Sequence, residues 1–485
     1  MVFDSIFSLP FYLASILGVH WLGRPLITTE AYQSTISEHN LFRHAENLFA
    51  FAQIGGANTR SAGSIGHNAT VDYIKSQLDS TGFYDTYLQH FTYTYSVGNA
   101  TFLVGDTSYD TGYFSYGPAG RASAPLTVVS NFGCVKDDFP VEVAGRIALI
   151  SRGNCPFSDK VALSGAAGAV GAIIYNNQDG PLGSATLSSA TNPLGPYVPA
   201  GGIPGRDGKA LVAAVQSGQE VIGKLHVIAT VENRKTANVV ATTKSGDHDN
   251  IVALGGHTDS VPQGPGINDN GSGSMAVLEL ALQLPRFKIN NAVRFGFWAG
   301  EEFGLLGAKY YAEHLSEEER SKIALYLNFD MLASPNFGYF IYDGDGSAFG
   351  VAGPPGSGHI EKTFQDFFKA SDLKAVPTKF DGRSDYAPFF NTGIPAGGLL
   401  TGAEEIKDGE GVAQWGGEAG VAYDDCYHQA CDTLDNLNVT AWVQNTKGAA
   451  HAVATYSKSL EGIPRLVEER NPTKGITPVN APQVV

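Results

Sequence analysis

Apolar and polar positions alternate with three different rhythms along this chain. From 37 to 82 the apolar residues fall at helical spacing. Leu41, Ala45, Leu48 and Phe49 form one run and Val71, Ile74 and Leu78 another, with a glycine-rich loop holding Thr59-Arg60-Ser61-Ala62-Gly63 between them. Tyr87 to Tyr95 turns aromatic and strand-like. Between 105 and 230 the texture breaks into short strand patterns at Leu126–Val129, Ile147–Ile150 and Ala169–Tyr175. Helical stretches follow from Ser158 to Ala167 and from Arg206 to Ser217, amid loops rich in Gly, Pro, Asn and Ser.

From 236 onward strands and helices alternate. Strand patterns occur at Asn238–Thr243, Ile251–Leu254, Val293–Trp298, Ile323–Phe329, Tyr339–Tyr342 and Gly397–Leu400. Helical patterns occur at Gly273–Leu284, from near Glu302, at His359–Ala370 and at Val439–Leu460. Such alternation predicts the α/β class: a three-layer α/β/α sandwich around a mixed, mostly parallel sheet. The stretch 105–231 holds its own cysteine pair and reads as a smaller inserted α+β domain. Residues 24–104 and 232–470 then form one discontinuous domain, 1–23 a signal peptide and 471–485 a mobile tail.

The chain has 485 residues, 43% of them hydrophobic and 16% charged, which suits a globular protein with a large core. A net charge of -16 without a Lys/Arg cluster argues against nucleic acid and anionic membranes as partners. Ile6 to Leu22 is apolar and reads as a signal-peptide core, although Asp4 stands where a basic leader is usual. Cys134, Cys155, Cys426 and Cys431 form two local pairs. Four cysteines allow three pairings, and the close spacing of Cys426 and Cys431 favours a short disulfide loop over metal ligation. Disulfides imply an oxidising compartment. Sequons at Asn68, Asn99 and Asn438 point the same way, whereas the one at Asn270 lies in a loop expected to be unmodified.

The chemistry concentrates at strand ends. Gly255-Gly256-His257-Thr258-Asp259 is followed by Asp269 inside a glycine-rich loop, then by Glu301-Glu302, Asp330 and His428. In an open α/β sheet, side chains just after strands meet in the crevice at the carboxyl edge. Asp259 stands two residues after His257, where it can accept the second ring N–H and fix the tautomer. Asp269 is placed to bridge two ions. Of Glu301 and Glu302, one serves as a ligand and the other as the base for an attacking water, in an order the spacing leaves open. Asp432 is placed to orient His428, and the Tyr427 hydroxyl to face a developing oxyanion. Carboxylate and imidazole donors without thiolate favour zinc, with manganese or cobalt as alternatives.

Six stretches carry a family resemblance: Gly256–Val261, Gly266–Gly273, Trp298–Gly307, Asn328–Met331, Gly382–Phe389 and Cys426–Asp432. Through them the chain resembles two-zinc aminopeptidases of the fungal secreted leucine aminopeptidase and vacuolar aminopeptidase Y type. In these a protease-associated domain is inserted in a zinc exopeptidase fold. The resemblance implies two zinc ions per chain: Asp269 bridging, His257 and Asp330 completing one site, Glu302 and His428 the other. It implies that a metal-bridging water attacks the carbonyl with Glu301 as general base, that Asp259 orients, that Tyr427 stabilises the oxyanion and that Arg383 lies near the substrate. It also implies disulfides Cys134–Cys155 and Cys426–Cys431. Asp424-Asp425-Cys426 departs from the Asp-Pro-Cys common in that family.

The expected activity is removal of single, preferably apolar N-terminal residues such as Leu from peptides with a free N-terminus. The chain is expected to work as a monomer, secreted or in the vacuolar lumen, free of nucleic acid and of membrane once the signal is removed. A glutaminyl cyclase shares such a sheet but normally holds one zinc, and five intact ligand positions argue against it. A ligand-less receptor ectodomain is the non-enzymatic alternative, and the same five positions oppose it.

Overall fold

The computed structural model describes residues 23–183 and 185–465. The expected tail at 471–485, and the expected signal segment apart from Gly23, lie outside the described residues.

Four parallel strands form the centre of one sheet: Ala396–Leu400, Ile323–Phe329, Asp247–His257 and Asn291–Trp298, side by side in that order. Their apolar residues alternate between two faces, as the period of a strand requires. Val252 and Leu254 face a layer built from helices Glu38–Ala52, Ile65–Ser80, Gly273–Gln283, Ser357–Ala370 and Val439–Lys458. Ala253 and Tyr326 face a thinner layer built from Leu306–Glu313 and Tyr386–Asn391. Burial on both faces explains why these strands read as nearly continuous apolar runs. The sheet is mixed because Ile222–Thr243 joins Asn291–Trp298 antiparallel, and Phe340–Tyr342 joins Ala396–Leu400 antiparallel. Val376–Thr378 closes the far edge.

The helix ends follow local chemistry. Ser37 and Asn438 cap Glu38–Ala52 and Val439–Lys458 by accepting from Asn40 N at 3.4 Å and Ala441 N at 3.1 Å. Ser316 and Glu319 form a capping box at Glu317–Lys322. Among the described residues no helix is long and apolar enough to cross a membrane.

Tyr84–Val104 pairs antiparallel with Ile222–Thr243 over its whole length, from Tyr84 opposite Thr243 to Val104 opposite Gly223. The expected strands Tyr87–Tyr95 and Asn238–Thr243 are therefore pieces of a much longer ribbon. Its outer part carries a second parallel group: Gly120–Val128, Ile147–Ser151, Gly171–Tyr175 and Ala200–Ile203, with Gly112–Ser115 antiparallel at the end. Helices Phe157–Ala166 and Gly205–Gln216 pack on it. Phe102, Leu126, Ile147, Leu149, Ile173 and Leu225 form one of its cores and Phe114, Ala148, Ile150, Val161 and Ile174 the other. Cys134–Cys155 is bonded within this part and Cys426–Cys431 within the other.

One element differs from expectation near the site. The helix expected from Glu302 is a single 3-10 turn, Glu301–Phe303, and the α-helix begins only at Leu306. Gly300, Gly304 and Leu305 have φ of 76°, 100° and 61°, and a left-handed backbone cannot continue a helix.

Candidate metal centre

Three neighbouring parallel strands end level with one another, and each delivers a ligand-type side chain at its carboxyl end. His257 is the last residue of its strand, Asp330 follows Phe329, and Glu301-Glu302 follow Trp298 after a turn at Gly300. Asp269 comes from the loop entering helix Gly273–Gln283. That helix comes so close to the sheet that a Cβ on Gly273 would lie 2.3 Å from the Phe329 carbonyl oxygen, which only glycine avoids. His428 comes from the loop closed by Cys426–Cys431 and has φ of 57°.

The distances sort these groups into two sets sharing one carboxylate. His257 Nε2 lies 3.3 Å from Asp269 Oδ1, 3.4 Å from Asp330 Oδ1 and 3.8 Å from Glu301 Oε2. His428 Nε2 lies 3.2 Å from Asp269 Oδ2 and 3.0 Å from Glu302 Oε2. The two oxygens of Asp269 thus face different imidazoles. His257 is 1% exposed and His428 40%, so the first imidazole is deep and the second stands at the mouth.

Carboxylates dominate the electrostatics of the same spot. Burial pulls the His428 imidazolium down, yet Glu302 and Asp269 outweigh it and push the group up to about 11. Burial likewise opposes His257, and Asp330 and Glu301 carry it well above the ordinary range. Burial, with Asp269 beside it, raises Glu302 to about 6. Burial raises Glu301 strongly, assisted by Glu302, Asp385 and Asp330. Glu302 Oε1 and Asp330 Oδ1 are buried without a hydrogen-bond partner. Orphaned carboxylate oxygens on residues that face imidazole nitrogens suit a cation, since buried charge is tolerated only when paired or metal-bound. The donors are nitrogen and oxygen only, as zinc accepts, and none of the four cysteines is free to compete.

The surroundings hold these groups in place. Asp259, expected to accept from the His257 ring, brings its backbone carbonyl oxygen to 3.2 Å from Nδ1. Its carboxylate Oδ1 is 3.8 Å away and accepts instead from Gly300 N at 2.8 Å and Glu301 N at 3.1 Å. Asp432 does not reach His428. Its two oxygens accept from Asn268 N at 2.8 Å and Asp269 N at 3.0 Å, fixing the loop that presents Asp269. Burial raises its carboxyl to about 8. Ser384 Oγ donates to Asp330 Oδ2 at 2.6 Å. Arg60, absent from the expected site residues, is fully buried and donates to the carbonyls of Thr258, Pro265 and Gly266, tying together the loops behind His257 and Asp269. An arginine in an otherwise small and polar loop was its only sequence signal.

A cleft opens over the centre. Met331, Tyr342, Leu400 and Ala403 line it beside Thr378, Arg383, Glu405 and Tyr427. Arg383 pairs with Glu404 at 2.7 Å and donates to the Tyr427 hydroxyl at 3.1 Å. The sequon residues Asn68 and Asn99 are exposed. Asn438 is half-buried and spends its carbonyl oxygen on the helix cap. Asn270 is fully buried and donates to Phe329 O at 2.9 Å.

Known proteins resemble both parts of the chain. Residues 238–453 match peptidase family M28 and residues 122–211 match the PA domain. A probable leucine aminopeptidase 2 from Aspergillus fumigatus is 48% identical over 452 residues, covering 93% of this chain and 90% of the relative. Leucine aminopeptidase 2 from Trichophyton rubrum is 44% identical over 445 residues, covering 92% and 89%. The solved aminopeptidase from Aneurinibacillus sp. strain AM-1 superposes with a TM-score of 0.65 at 30% identity, covering 89% of this chain and 98% of that one. BSAP, a zinc aminopeptidase from Bacillus subtilis, superposes with a TM-score of 0.61 at 25% identity, covering 86% and 95%.

Proposed function

The chain belongs to peptidase family M28 and carries a PA domain, and from that premise we propose a zinc aminopeptidase that removes apolar residues, Leu foremost, from free peptide N-termini. His257 and Asp330 would hold one zinc ion and Glu302 and His428 a second, with Asp269 placed to serve both. The observation that carries this reading is the division of Asp269, one oxygen 3.3 Å from His257 and the other 3.2 Å from His428. The catalytic domain comprises 24–104 and, among the described residues, 232–465, with 105–231 inserted; the far end of the ribbon, at Phe102, packs into the inserted domain's core.

Bound zinc supplies a Lewis acid that polarises the scissile carbonyl and lowers the pKa of water. The rest falls to the chain's own groups. Glu301 is the general base. Burial strengthens its affinity for a proton, which suits it to take one from the attacking water and pass it to the leaving amine. Asp259 holds that carboxylate in place through the Gly300 and Glu301 amides. Arg383 donates to the Tyr427 oxygen, which leaves the Tyr427 O–H to face the developing oxyanion. The carboxylates around the centre select a positively charged N-terminal amine, and the walls of Met331, Tyr342 and Leu400 accept an apolar first side chain. Two disulfides and the exposed Asn68 and Asn99 sequons support a secreted or vacuolar setting.

The test is a panel of aminoacyl amides with free and acetylated N-termini. Leucyl amide is expected to turn over fastest and acetyl-leucyl amide not at all. Hydrolysis of both at similar rates rejects the exopeptidase reading.

A further inference from the structure

A second acidic cluster lies away from the zinc ligands, where strand Phe340–Tyr342 runs into the loop Asp343-Gly344-Asp345-Gly346-Ser347. Asp343 is fully buried. Its Oδ2 accepts from Ala348 N at 3.1 Å and Phe349 N at 2.8 Å, while its Oδ1 has no partner. Glu361, 3% exposed, reaches the same place from helix Ser357–Ala370 and accepts from Asp345 N at 3.1 Å. Asp345 is exposed and opens the cluster to solvent. One oxygen of each carboxylate lies within 4.8 Å of the others. Among the described residues no Lys, Arg or His forms an ion pair with any of the three, although nearby Lys362 pairs with Asp366. Burial raises the Glu361 carboxyl; the Asp345 and Gly344 amides oppose the rise, and the Asp345 and Asp343 charges add to it.

We propose that Asp343, Asp345 and Glu361 form a calcium site. A fully buried carboxylate with one oxygen lacking a donor, clustered with two further carboxylates, requires a cation or a shared proton. The donors are all oxygen, which excludes a preference for zinc. They come from an irregular loop and a helix, with an exposed side where waters complete the shell. That suits the 6–8 oxygen ligands and loose geometry of calcium better than the strict octahedron of magnesium. Gly346 takes φ of 74° in the turn that follows Asp345, and Ser347 N donates to Asp345 Oδ1 at 2.8 Å. The site bears on the cleft. Asp343 N donates to Thr378 O at 2.8 Å, and Tyr342 and Thr378 both line the cleft, so the ion braces one wall of it.

The test uses the zinc-loaded full chain with terbium as a luminescent stand-in, sensitised by the adjacent Tyr342. Terbium emission is expected to fall as calcium is added, with a Kd of about 10⁻⁴–10⁻³ M, as in extracellular modules. Asp343→Asn is expected to abolish the signal. Asp345→Asn, a change at an exposed position that keeps the fold, is expected to weaken calcium binding at least tenfold and leave saturated leucyl amide turnover unchanged. Absence of calcium-competed emission, equal affinity in Asp345→Asn, or equal competition by magnesium would overturn the proposal. Its failure would leave the peptidase reading intact, because turnover is measured separately.

Discussion

The PA domain and the catalytic domain each present the carboxyl ends of parallel strands. In the PA domain those ends lead into Arg152-Gly153, Asn176-Asn177 and Pro204-Gly205. In the catalytic domain they lead into Thr258-Asp259, Ala299-Gly300-Glu301 and Asp330, with His257 itself the last strand residue. The first set closes over an apolar core in which Asp138 and Lys160 are the only buried charges among the described residues from 105 to 221. The second buries His257, Asp259, Asp269, Asp385 and Asp432 around one point. A parallel sheet edge is therefore only an opportunity. Function comes from the acids and imidazoles placed there, and each has to be held against its own desolvation. The two disulfides differ in the same way: Cys134–Cys155 closes a loop in the packing of the PA domain, whereas Cys426–Cys431 closes the loop that presents His428.

If that contrast is right, substitutions at the two edges have effects of different kind and size. Asp269→Ala removes the proposed shared ligand and is expected to cost more than any other single change, eliminating measurable turnover together with zinc; the check is kcat/KM alongside metal content. Glu301→Ala is expected to lower kcat by about 10²–10⁴-fold while both zinc ions stay bound. Near wild-type turnover in that variant would reject Glu301 as the base. Asp432→Asn turns an acceptor of the Asn268 and Asp269 amides into a partial donor, and is expected to cost about 10–100-fold in zinc affinity or activity, read by metal titration. The smallest effect on catalysis belongs to the PA domain. Replacing both Cys134 and Cys155 by Ala opens a loop with a sequence separation of 21 and is expected to remove about 3 kcal/mol of stability, measured by denaturant unfolding, with kcat unchanged.

Much of this was legible in the sequence because the central strands are buried on both faces. Ile323–Phe329 reads as a strand from its apolar run alone, and its end at Asp330 follows. The helices Glu38–Ala52 and Ile65–Ser80 read from one apolar stripe each. The long ribbon did not read, because its outer stretch around Ser96–Asn99 runs from half-buried to exposed and has no clean alternation. The turn after Trp298 read as a helix start because Glu301-Glu302 look like acids in a first turn. The positive φ at Gly300, Gly304 and Leu305 shows only in the structure. Asp259 and Asp432 have another address than the expected one: a carboxylate near a histidine in sequence turns to backbone amides in space. Arg60 comes from a loop some 200 residues upstream of the loops it ties together, a distance no local pattern bridges.

The central claim is that Asp269 is shared by two ions, and zinc stoichiometry tests it most directly. Native mass spectrometry of the Glu301→Ala chain, purified with zinc and stripped of loosely held metal, is predicted to show two zinc ions per chain, falling to one or none in Asp269→Ala. One zinc per chain at saturation, with full leucyl amide turnover in the parent protein, would contradict the shared carboxylate and the paired centre built on it.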